Sequence, residues 1–249
     1  MKKCRDFLLG FLLIHLFWLL AALLLDTRVV PSPAAVYANF GRVLSGGLFR
    51  HVGASLWRVG LGLSLSLLLG VPLGVLMARS TRWGRLLSPL VYFSYPVPKT
   101  ALLPVAMLLF GLGDGSKVLI MVLTILFPVL VAARDGAAAV APGLYAVALS
   151  AGAGQGALLW HITLPAILPA LFTSLRVSMG TALAVLFLVE AYGTRSGVGY
   201  YILDSWSRLD YLSMYGGIVV IAVLGALLFL LADLLAARLC RWQADAPSP

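Results

Sequence analysis

Residues that could carry out bond chemistry are few and widely separated in this 249-residue chain. The three histidines, His15, His51 and His161, lie far apart, and no His-Glu-x-x-His sequence or cysteine pair offers the spacing of metal ligands. No Gly-x-Ser-x-Gly sequence marks a serine nucleophile, and Glu190 is the only glutamate, which leaves little for paired-carboxylate catalysis. We therefore predict no catalytic residue, no metal site and no resident cofactor.

The stretch from Gly111 to Lys117 is the nearest approach to a nucleotide-binding motif. It reads Gly-Leu-Gly-Asp-Gly-Ser-Lys, which lacks both the Gly-Lys-Ser/Thr order and a preceding buried strand. Any ATP chemistry on which the protein depends must therefore come from another chain.

A lysine flanked by prolines, Lys99, is the residue that best fits a path for a solute. A cation inside a membrane is costly and by default marks a functional site, and an anion would be its natural partner. The predicted path consists of the lysine and its neighbours: Ser94, Tyr95, Pro96, Pro98 and Lys99. The alternative role is structural, in which the lysine reaches the interface along its aliphatic stem or pairs with a neighbouring carbonyl group.

Two more charged residues lie inside apolar stretches. Glu190 could gate an outer mouth or pair with Arg195 at the interface, and the pairing is the preferred interpretation. Arg176 is expected to meet inner-leaflet phosphates or a cytoplasmic partner rather than a substrate.

The composition places these residues in a membrane protein. Hydrophobic residues make up 61% of the chain and charged residues 11%, whereas soluble domains carry about a quarter charged residues. The mean hydropathy is +1.02. The formal charge of +9 lacks the basic stripe with interleaved aromatic residues that binds nucleic acid, so we interpret it as anchoring at the lipid surface.

Apolar runs bounded by charges or turn residues predict six membrane-spanning helices and an all-α fold. The spans are residues 7–25, 59–78, 86–110, 118–133, 171–192 and 214–236. The third is interrupted between Ser94 and Lys99 and again at Pro104, so we expect it to face the protein interior, where the freed backbone groups can find partners.

The basic residues favour cytoplasmic termini. With the N-terminus inside, residues 79–85 form a short cytoplasmic loop with three arginines, and Arg238 and Arg241 lie in a cytoplasmic tail. Five arginines in the predicted outer segments oppose this orientation and make the asymmetry modest: Arg28, Arg42, Arg50, Arg195 and Arg208. Cys4 and Cys240 would then both face the cytoplasm, where a structural disulfide is not expected.

The only long cytoplasmic segment covers residues 134–170. Its physical pattern is a short helix, a glycine that ends or bends it at Gly152, a second apolar stretch, and a proline, Pro165, that starts the next helix. An amphipathic helix at this face could bind a partner protein or lie on lipid, and periodicity alone does not choose between them.

This segment resembles the cytoplasmic loop of the membrane-spanning permease subunits of bacterial ABC importers. In that family the loop reads Glu-Ala-Ala, three residues, Gly, nine residues, then Ile-x-Leu-Pro, and Gly152, Ile162, Leu164 and Pro165 stand at the matching positions. The resemblance extends over nearly the whole chain and is strongest to the nitrate, sulfonate, taurine and bicarbonate branch. Supporting stretches are residues 31–33, 96–99, 110–113, 116–117 and 197–200.

The resemblance implies the fold of a type I ABC importer permease, in which the loop forms a coupling helix that sits in a groove of the ATP-hydrolysing subunit. The implied coupling residues are Ala146, Ala148, Gly152, Leu158, Ile162, Leu164 and Pro165. The motif's glutamate is replaced by Ala146 and its first alanine by Val147. Either the fit relies on apolar packing around Ala148, Gly152 and Leu158, or the ATPase is unusual, or the chain is a degraded copy; we favour the first.

The resemblance also implies partners and a location: an ABC ATPase, a periplasmic substrate-binding protein and a second permease copy in a homodimer within the bacterial inner membrane. The solute would be small, an anion such as a sulfonate or nitrate. The alternative function is an ATP-independent secondary transporter or channel. The absence of a clear internal repeat and the presence of a single glutamate disfavour it. The predicted organisation is an N-terminal anchor with an outer interfacial segment (residues 1–58), a permease core (59–241) and a cytoplasmic tail (242–249).

Overall fold

A computed structural model describes the backbone of residues 2–243 and the side chains in that range except those of residues 2–4, 6–8 and 243. In that range the chain is mainly helical and has no strand, which confirms the all-α prediction. The helices are α1 (Lys2–Leu25), α2 (Pro33–Ala38), α3 (Phe40–Val43), α4 (Phe49–Arg79), α5 (Thr81–Ser94), α6 (Leu103–Phe110), α7 (Asp114–Ala138), α8 (Pro142–Ser150), α9 (Gln155–Leu158), α10 (Leu164–Ala191), α11 (Val198–Ser207) and α12 (Tyr211–Leu239). Short π-helical segments lie at Leu44–Leu48 and Leu159–Thr163, and 3₁₀ turns at Lys99–Leu102 and Arg241–Gln243.

Four helical stretches among the described residues are long and apolar enough to cross a membrane. They are Phe40–Arg79, Asp114–Ala138, Gln155–Ala191 and Tyr211–Leu239. The pair of α5 and α6 provides a fifth crossing if its two bent halves are counted as one span. The predicted first span, residues 7–25, falls in α1, whose described apolar part, Leu9–Leu25, is shorter. The predicted tail, residues 242–249, lies almost entirely outside the described residues.

The third predicted span is broken once rather than twice. The axes of Thr81–Ser94 and Lys99–Phe110 differ by 89°. Pro104 does not interrupt the second half, because it occupies the first turn of α6, where its missing N–H group costs no helical hydrogen bond. Most of α5 is exposed on this chain, with only Val91 buried, so the expectation that this span packs inside is wrong for α5 within the described chain.

The segment between α1 and α4 is irregular. Ser32 caps α2 by accepting a hydrogen bond from the Ala35 N–H group at 3.3 Å. The stretch from Ala34 to Leu48 is not one helix. It divides into α2, α3 and a π-helical segment with a kink at Gly47, whose φ of +85° favours glycine.

The described chain forms two compact units, each considered on its own. One contains the residues up to Ser55 with Glu190–Val223, and the other contains Leu56–Val189 with the residues from Leu224 onward. In the second unit α7 supplies the centre of the core, including the fully buried Ile120, Met121 and Ile125.

Glycines on one face of α4 let it approach α7 closely. A Cβ atom at Gly62 would lie 2.8 Å from the Met121 Cβ atom, and one at Gly74 would lie 2.7 Å from the Ala133 Cβ atom. Small residues at such contacts allow close backbone packing between membrane helices.

Substitution of Gly74 with alanine should destabilise the second unit, whereas Gly60→Ala in the same helix should not. A Cβ atom at Gly74 would collide with the backbone of α7, and overpacking of this kind costs about 1–3 kcal/mol. No atom lies within 4 Å of the corresponding position at Gly60, where alanine gains up to about 1 kcal/mol in helix propensity. Thermal unfolding in detergent, followed by the amount of monodisperse protein, measures both changes.

The prediction of no disulfide concerns Cys4 and Cys240. The Cys4 side chain lies outside the described residues. Cys240 is free and buried. Burial raises the pKa of the Cys240 thiol, which keeps it uncharged and poorly reactive.

Candidate functional site

Helix α8 is the short helix predicted within residues 134–170, and Gly152 ends it as expected. The Ala153 N–H group donates to the Ala148 carbonyl at 3.0 Å, and the Gly152 N–H group donates to the Leu149 carbonyl at 2.9 Å. This pair of bonds is a Schellman motif, in which the residue after the helix adopts a left-handed conformation. Gly152 has a φ of +85°, so glycine is required there by the backbone.

The two sides of α8 differ in exposure. Tyr145 and Ala148, three residues apart, are half-buried on the side that faces the rest of the chain. The opposite side is exposed; we call it the coupling face, and its residues are Gly143, Ala146, Val147 and Ser150. Val147 is 70% exposed and is the largest side chain of the coupling face.

The coupling face offers almost no polar group. The Ser150 hydroxyl donates to the Ala146 carbonyl of its own helix at 2.9 Å, and α8 contains no charged residue. Ala146, which replaces the glutamate of the family motif, lies on this face. The surface is therefore shallow and apolar, with Val147 as its only sizeable projection.

A polar cluster holds α8 in place. The Tyr145 hydroxyl lies 3.1 Å from the Thr163 hydroxyl, and the Arg79 guanidinium lies 4.8 Å from the centre of the Tyr145 ring. Arg79 also donates to Thr163 and to the Gln155 side chain, each at 3.4 Å. The cluster thereby connects α8 to the end of α4 and to the helical segment that begins at Gln155.

The other predicted coupling residues lie behind α8 rather than on its exposed side. Leu158 is 1% exposed, so it packs inside this chain and offers no surface to a partner. Ile162, Leu164 and Pro165 are half-buried. The interpretation of Leu158 as part of an apolar contact with the ATPase therefore needs correction: its burial makes it an internal support.

Pro165 does not start a new helix. The chain is helical without a break from Gln155 to Ala191, and Pro165 occupies the second position of α10 directly after the π-helical segment Leu159–Thr163. The widened π turn accommodates a proline in a continuous helix, because it relaxes the hydrogen-bond register that the proline would interrupt. The Thr163 hydroxyl donates to the Leu158 carbonyl across this turn at 3.2 Å.

Sequence reasoning missed Arg79, Tyr145 and Thr163 as members of this site. From the sequence, Arg79 was predicted only to be one of the basic residues of a cytoplasmic loop. Tyr145 is the single aromatic residue of α8, placed three residues before Ala148, and this spacing was the one available signal of an anchored side.

Substitution of Arg79 with glutamine should weaken coupling, whereas Arg82→Gln should not. A cation–π contact at an exposed site is worth about 0.5–1 kcal/mol, so we expect ATP-driven uptake to fall about twofold to fivefold. Arg82 is exposed at the start of α5. Uptake and ATP hydrolysis by the reconstituted complex measure the effect, and equal losses for both variants would contradict the anchoring role.

The residues of the predicted path lie at the bend between α5 and α6. The Lys99 amine donates to the Ser94 carbonyl and, at 2.9 Å, to the Val97 carbonyl, and it lies 5.2 Å from the centre of the Phe127 ring. Lys99 thus donates to carbonyl groups that lose their helical partners at the break between α5 and α6. This is the structural role given above as the alternative for Lys99. Pro98 precedes the 3₁₀ turn that Lys99 begins.

Tyr95 and Pro96, the other path candidates, line an open cavity of 1050 Å³. The cavity extends from the bend along α5 and also touches α7. The role of all five path residues in solute transfer stays a prediction.

Glu190 is not paired with Arg195. It is fully buried, and its carboxylate accepts hydrogen bonds from the Ser55 hydroxyl at 2.8 and 2.9 Å and from the Gly199 N–H group at 2.9 Å. Ser55 in turn accepts a hydrogen bond from the Val198 N–H group at 2.9 Å. Arg195 is exposed and has no part in this network.

The network explains the Gly-Val-Gly stretch at residues 197–199. A Cβ atom at Gly197 would overlap the Glu190 carboxylate, and Gly197 has a φ of +111°. The carboxylate lies at the first turn of α11, where free N–H groups and the helix dipole favour a negative charge.

Two ion pairs account for other charges in the apolar helices. Arg58 is 1% exposed and donates to Asp114 from Nη2 at 2.7 Å and from Nε at 2.9 Å. Arg176 pairs with Asp233 on α12, so its predicted contact with phosphates or a partner is replaced by this internal pair.

Lys117, the last residue of the stretch at residues 111–117, has a structural role. It is buried and donates to the Leu112 carbonyl at 2.6 Å, which closes the loop before α7. In the part of the chain whose side chains are described, no three His, Cys, Asp or Glu residues lie close enough together to hold a metal ion.

Comparison with known proteins agrees with this architecture. The family described as binding-protein-dependent transport system inner membrane component matches residues 70–242. The chain is similar to the taurine transport system permease protein TauC of Escherichia coli (strain K12), with 31% identity over 240 residues that cover 94% of this chain and 87% of the relative. It is also similar to SsuC of Bacillus subtilis (strain 168), a permease named for aliphatic sulfonates, with 33% identity over 88% of this chain and 79% of the relative.

A solved structure, an inward-facing conformation of the MetNI methionine ABC transporter, shares the fold. Its TM-score is 0.63 at 18% identity, with 79% of this chain and 96% of that chain covered. The family match spans well over half of the chain and places it among proteins that work with a binding protein, which favours the ATP-driven importer over an ATP-independent transporter or channel. The chain belongs to the family of binding-protein-dependent transport system inner membrane components, and it is a multi-pass permease subunit of an ABC importer.

Proposed function

We propose that this permease imports a small sulfonate such as taurine and that its coupling face docks directly into an ABC ATPase. The exposed, apolar and anchored helix α8 is the observation that carries the docking proposal. The names of the two relatives, a taurine permease and an aliphatic sulfonate permease, support the substrate class.

The coupling face suits a groove because small side chains allow close approach. Gly143, Ala146 and Ser150 surround Val147 without a charge, so a partner can bury the face without removing an ion from water. The missing glutamate is then compatible with coupling, because an exposed ion pair would add only about 0–1 kcal/mol.

The proposed assembly contains two copies of this chain, two ATPase subunits and a periplasmic binding protein. The family supports the ATPase and the binding protein as partners. The second copy and the cytoplasmic position of both termini are part of the proposal, and the arginines of residues 79–85 and 238–241 support that orientation. ATP binding would draw two α8 helices together and turn the path from one side of the membrane to the other.

Uptake by the complete complex in vesicles tests the proposed function. The permease, its ATPase and its binding protein are reconstituted with ATP on the ATPase side, and entry of radiolabelled taurine is followed. We expect taurine uptake to require ATP hydrolysis. Other alkanesulfonates should inhibit it by competition, whereas ethanolamine, which carries no anionic group, should not. Uptake driven by an ion gradient without ATP would contradict the proposal. So would an uptake of taurine that no other sulfonate inhibits, or the absence of any sulfonate uptake.

A further inference from the structure

A cavity beside α5 combines positive charge with an apolar wall. Its volume is 1050 Å³, and Arg85 and Arg134 lie among its lining residues with Ser88, Phe93, Tyr95 and Pro96. Closed ligand pockets measure about 300–1,000 Å³. A cavity of this size that is open to its surroundings suits a passage better than a tight binding pocket.

The charges of the cavity do not cancel. Arg134 donates from Nε to the Asp135 carboxylate at 2.8 Å. Arg85 has no hydrogen-bond or ion-pair partner in the part of the chain whose side chains are described. Two guanidinium groups against one carboxylate leave a net positive charge, and a cleft with one sign of charge concentrates ions of the opposite sign.

The lining has the two features that an alkanesulfonate requires. Guanidinium groups bind oxyanions through several N–H donors in a planar arrangement. The apolar side chains of Phe93 and Pro96 provide surface for a short alkyl chain. The lining contains no carboxylate, so no acidic lining residue would repel the anion.

The cavity covers about half of a membrane crossing. Arg85 lies near the start of α5 and Tyr95 directly after its end, which corresponds to about 15 Å along the helix. The hydrocarbon core of a bilayer is about 30 Å thick. Arg134 lies in the last turns of α7, so both arginines belong to the end of the cavity away from the bend.

We propose that this cavity is the cytoplasmic half of the sulfonate path and that Arg85 and Arg134 bind the sulfonate group as it leaves. The assignment rests on the proposed function for the identity of the solute. In this assignment Tyr95 and Pro96 line the path, and Lys99 stabilises the bend between α5 and α6.

Arg82 distinguishes this role from general anchoring at the lipid surface. Like Arg85 it is an exposed arginine near the start of α5, but it does not line the cavity. Anchoring by basic residues predicts equal effects of the two arginines. A path predicts an effect of Arg85 alone.

Reaction of an introduced cysteine with charged thiol reagents tests the cavity without any transport assay. In the complete complex, with Cys4 and Cys240 replaced by serine, the Ser88→Cys variant is treated with the anionic sulfonatoethyl and the cationic trimethylammonioethyl methanethiosulfonates. We expect the anionic reagent to be favoured, and Arg85→Gln or Arg134→Gln to lower the ratio of the two rates by about tenfold. Arg82→Gln should leave the ratio unchanged.

The reagent assay can overturn the proposal in two ways. An equal fall of the ratio with Arg82→Gln and Arg85→Gln would show a general surface potential. Failure of both reagents to reach the Ser88→Cys thiol would show that a second copy or lipid fills the cavity.

Taurine uptake by the same variants provides the second arm. Arg85→Gln should lower uptake in vesicles of zwitterionic phosphatidylcholine, and Arg85→Lys should retain most of it. If the defect occurs only when anionic phosphatidylglycerol is present, Arg85 serves a lipid phosphate and the proposal is wrong. If the unsubstituted complex takes up no sulfonate, the proposed function fails, and the reagent ratio still reports whether the cavity selects anions.

Discussion

Replacement of Val147 with aspartate is expected to abolish association with the ATPase and ATP-driven uptake, while the permease itself stays folded. Val147 is 70% exposed at the centre of the coupling face, so the change removes no internal packing. In the assembled complex the carboxylate would be buried without a partner, at a cost of about 3 kcal/mol or more. We expect the affinity for the ATPase to fall about a hundredfold or more, measured by co-purification of the two subunits.

Val147→Ala is the matched control for this variant. It keeps the helix and the apolar character of the coupling face, and only a small loss of affinity is expected. Gly152→Asp would disturb the same region less cleanly, because a φ of +85° strains any side chain at that position. Normal co-purification of the Val147→Asp variant with the ATPase would show that α8 does not bind there.

Gly197→Ala is expected to be the most damaging small substitution in the unit that contains it. The new Cβ atom would overlap the Glu190 carboxylate and displace it from the Ser55 hydroxyl and the Gly199 N–H group. Loss of hydrogen bonds to a buried carboxylate costs about 3–5 kcal/mol. We expect little folded protein, or a strongly lowered unfolding temperature in detergent.

Gly47→Ala separates the collision from the backbone strain. Gly47 also has a positive φ, +85°, but no atom lies within 4 Å of the place where its Cβ atom would be. The strain at Gly47 should therefore cost only about 1–2 kcal/mol. Similar losses for the two variants would contradict the importance of the carboxylate contact.

The sequence was sufficient to predict the all-α fold, the broken third span and the short helix α8. Each rests on a strong local signal: apolar runs of membrane length, two prolines within three residues at Pro96 and Pro98, and Gly152 at the end of α8. The predictions at Pro104 and Pro165 were wrong in detail. A proline can start a helix or follow a π turn, and the sequence around it does not distinguish the two.

Contacts between distant parts of the chain could not be predicted. The Glu190 carboxylate meets Ser55, which is 135 residues away, whereas Arg195 is near in sequence and exposed. Arg176 likewise pairs with Asp233, which is 57 residues away. A single sequence carries no information about such pairs. The expected partner of Glu190 was therefore a sequence neighbour, and the expected partners of Arg176 lay outside the chain.

The candidate site was predictable as a segment but not as a surface. The motif spacing indicates residues 146–165 without showing which of them are exposed. Val147 is exposed because Tyr145 and Ala148 fix the rotation of α8 against the chain, whereas Leu158, which lies in α9, is buried. Helix α8 has only nine residues and few polar side chains, so its sequence gives a weak periodic signal. Its rotation is therefore set by tertiary contacts.

Site-specific crosslinking from the coupling face tests the central claim most directly. A photoreactive amino acid is placed at Val147 or, as a control, at Leu108, which is 87% exposed on α6. The purified complex of permease and ATPase is then irradiated. We predict a crosslink to the ATPase from position 147 and none from position 108; no crosslink from position 147 in an active complex would contradict the coupling role of α8.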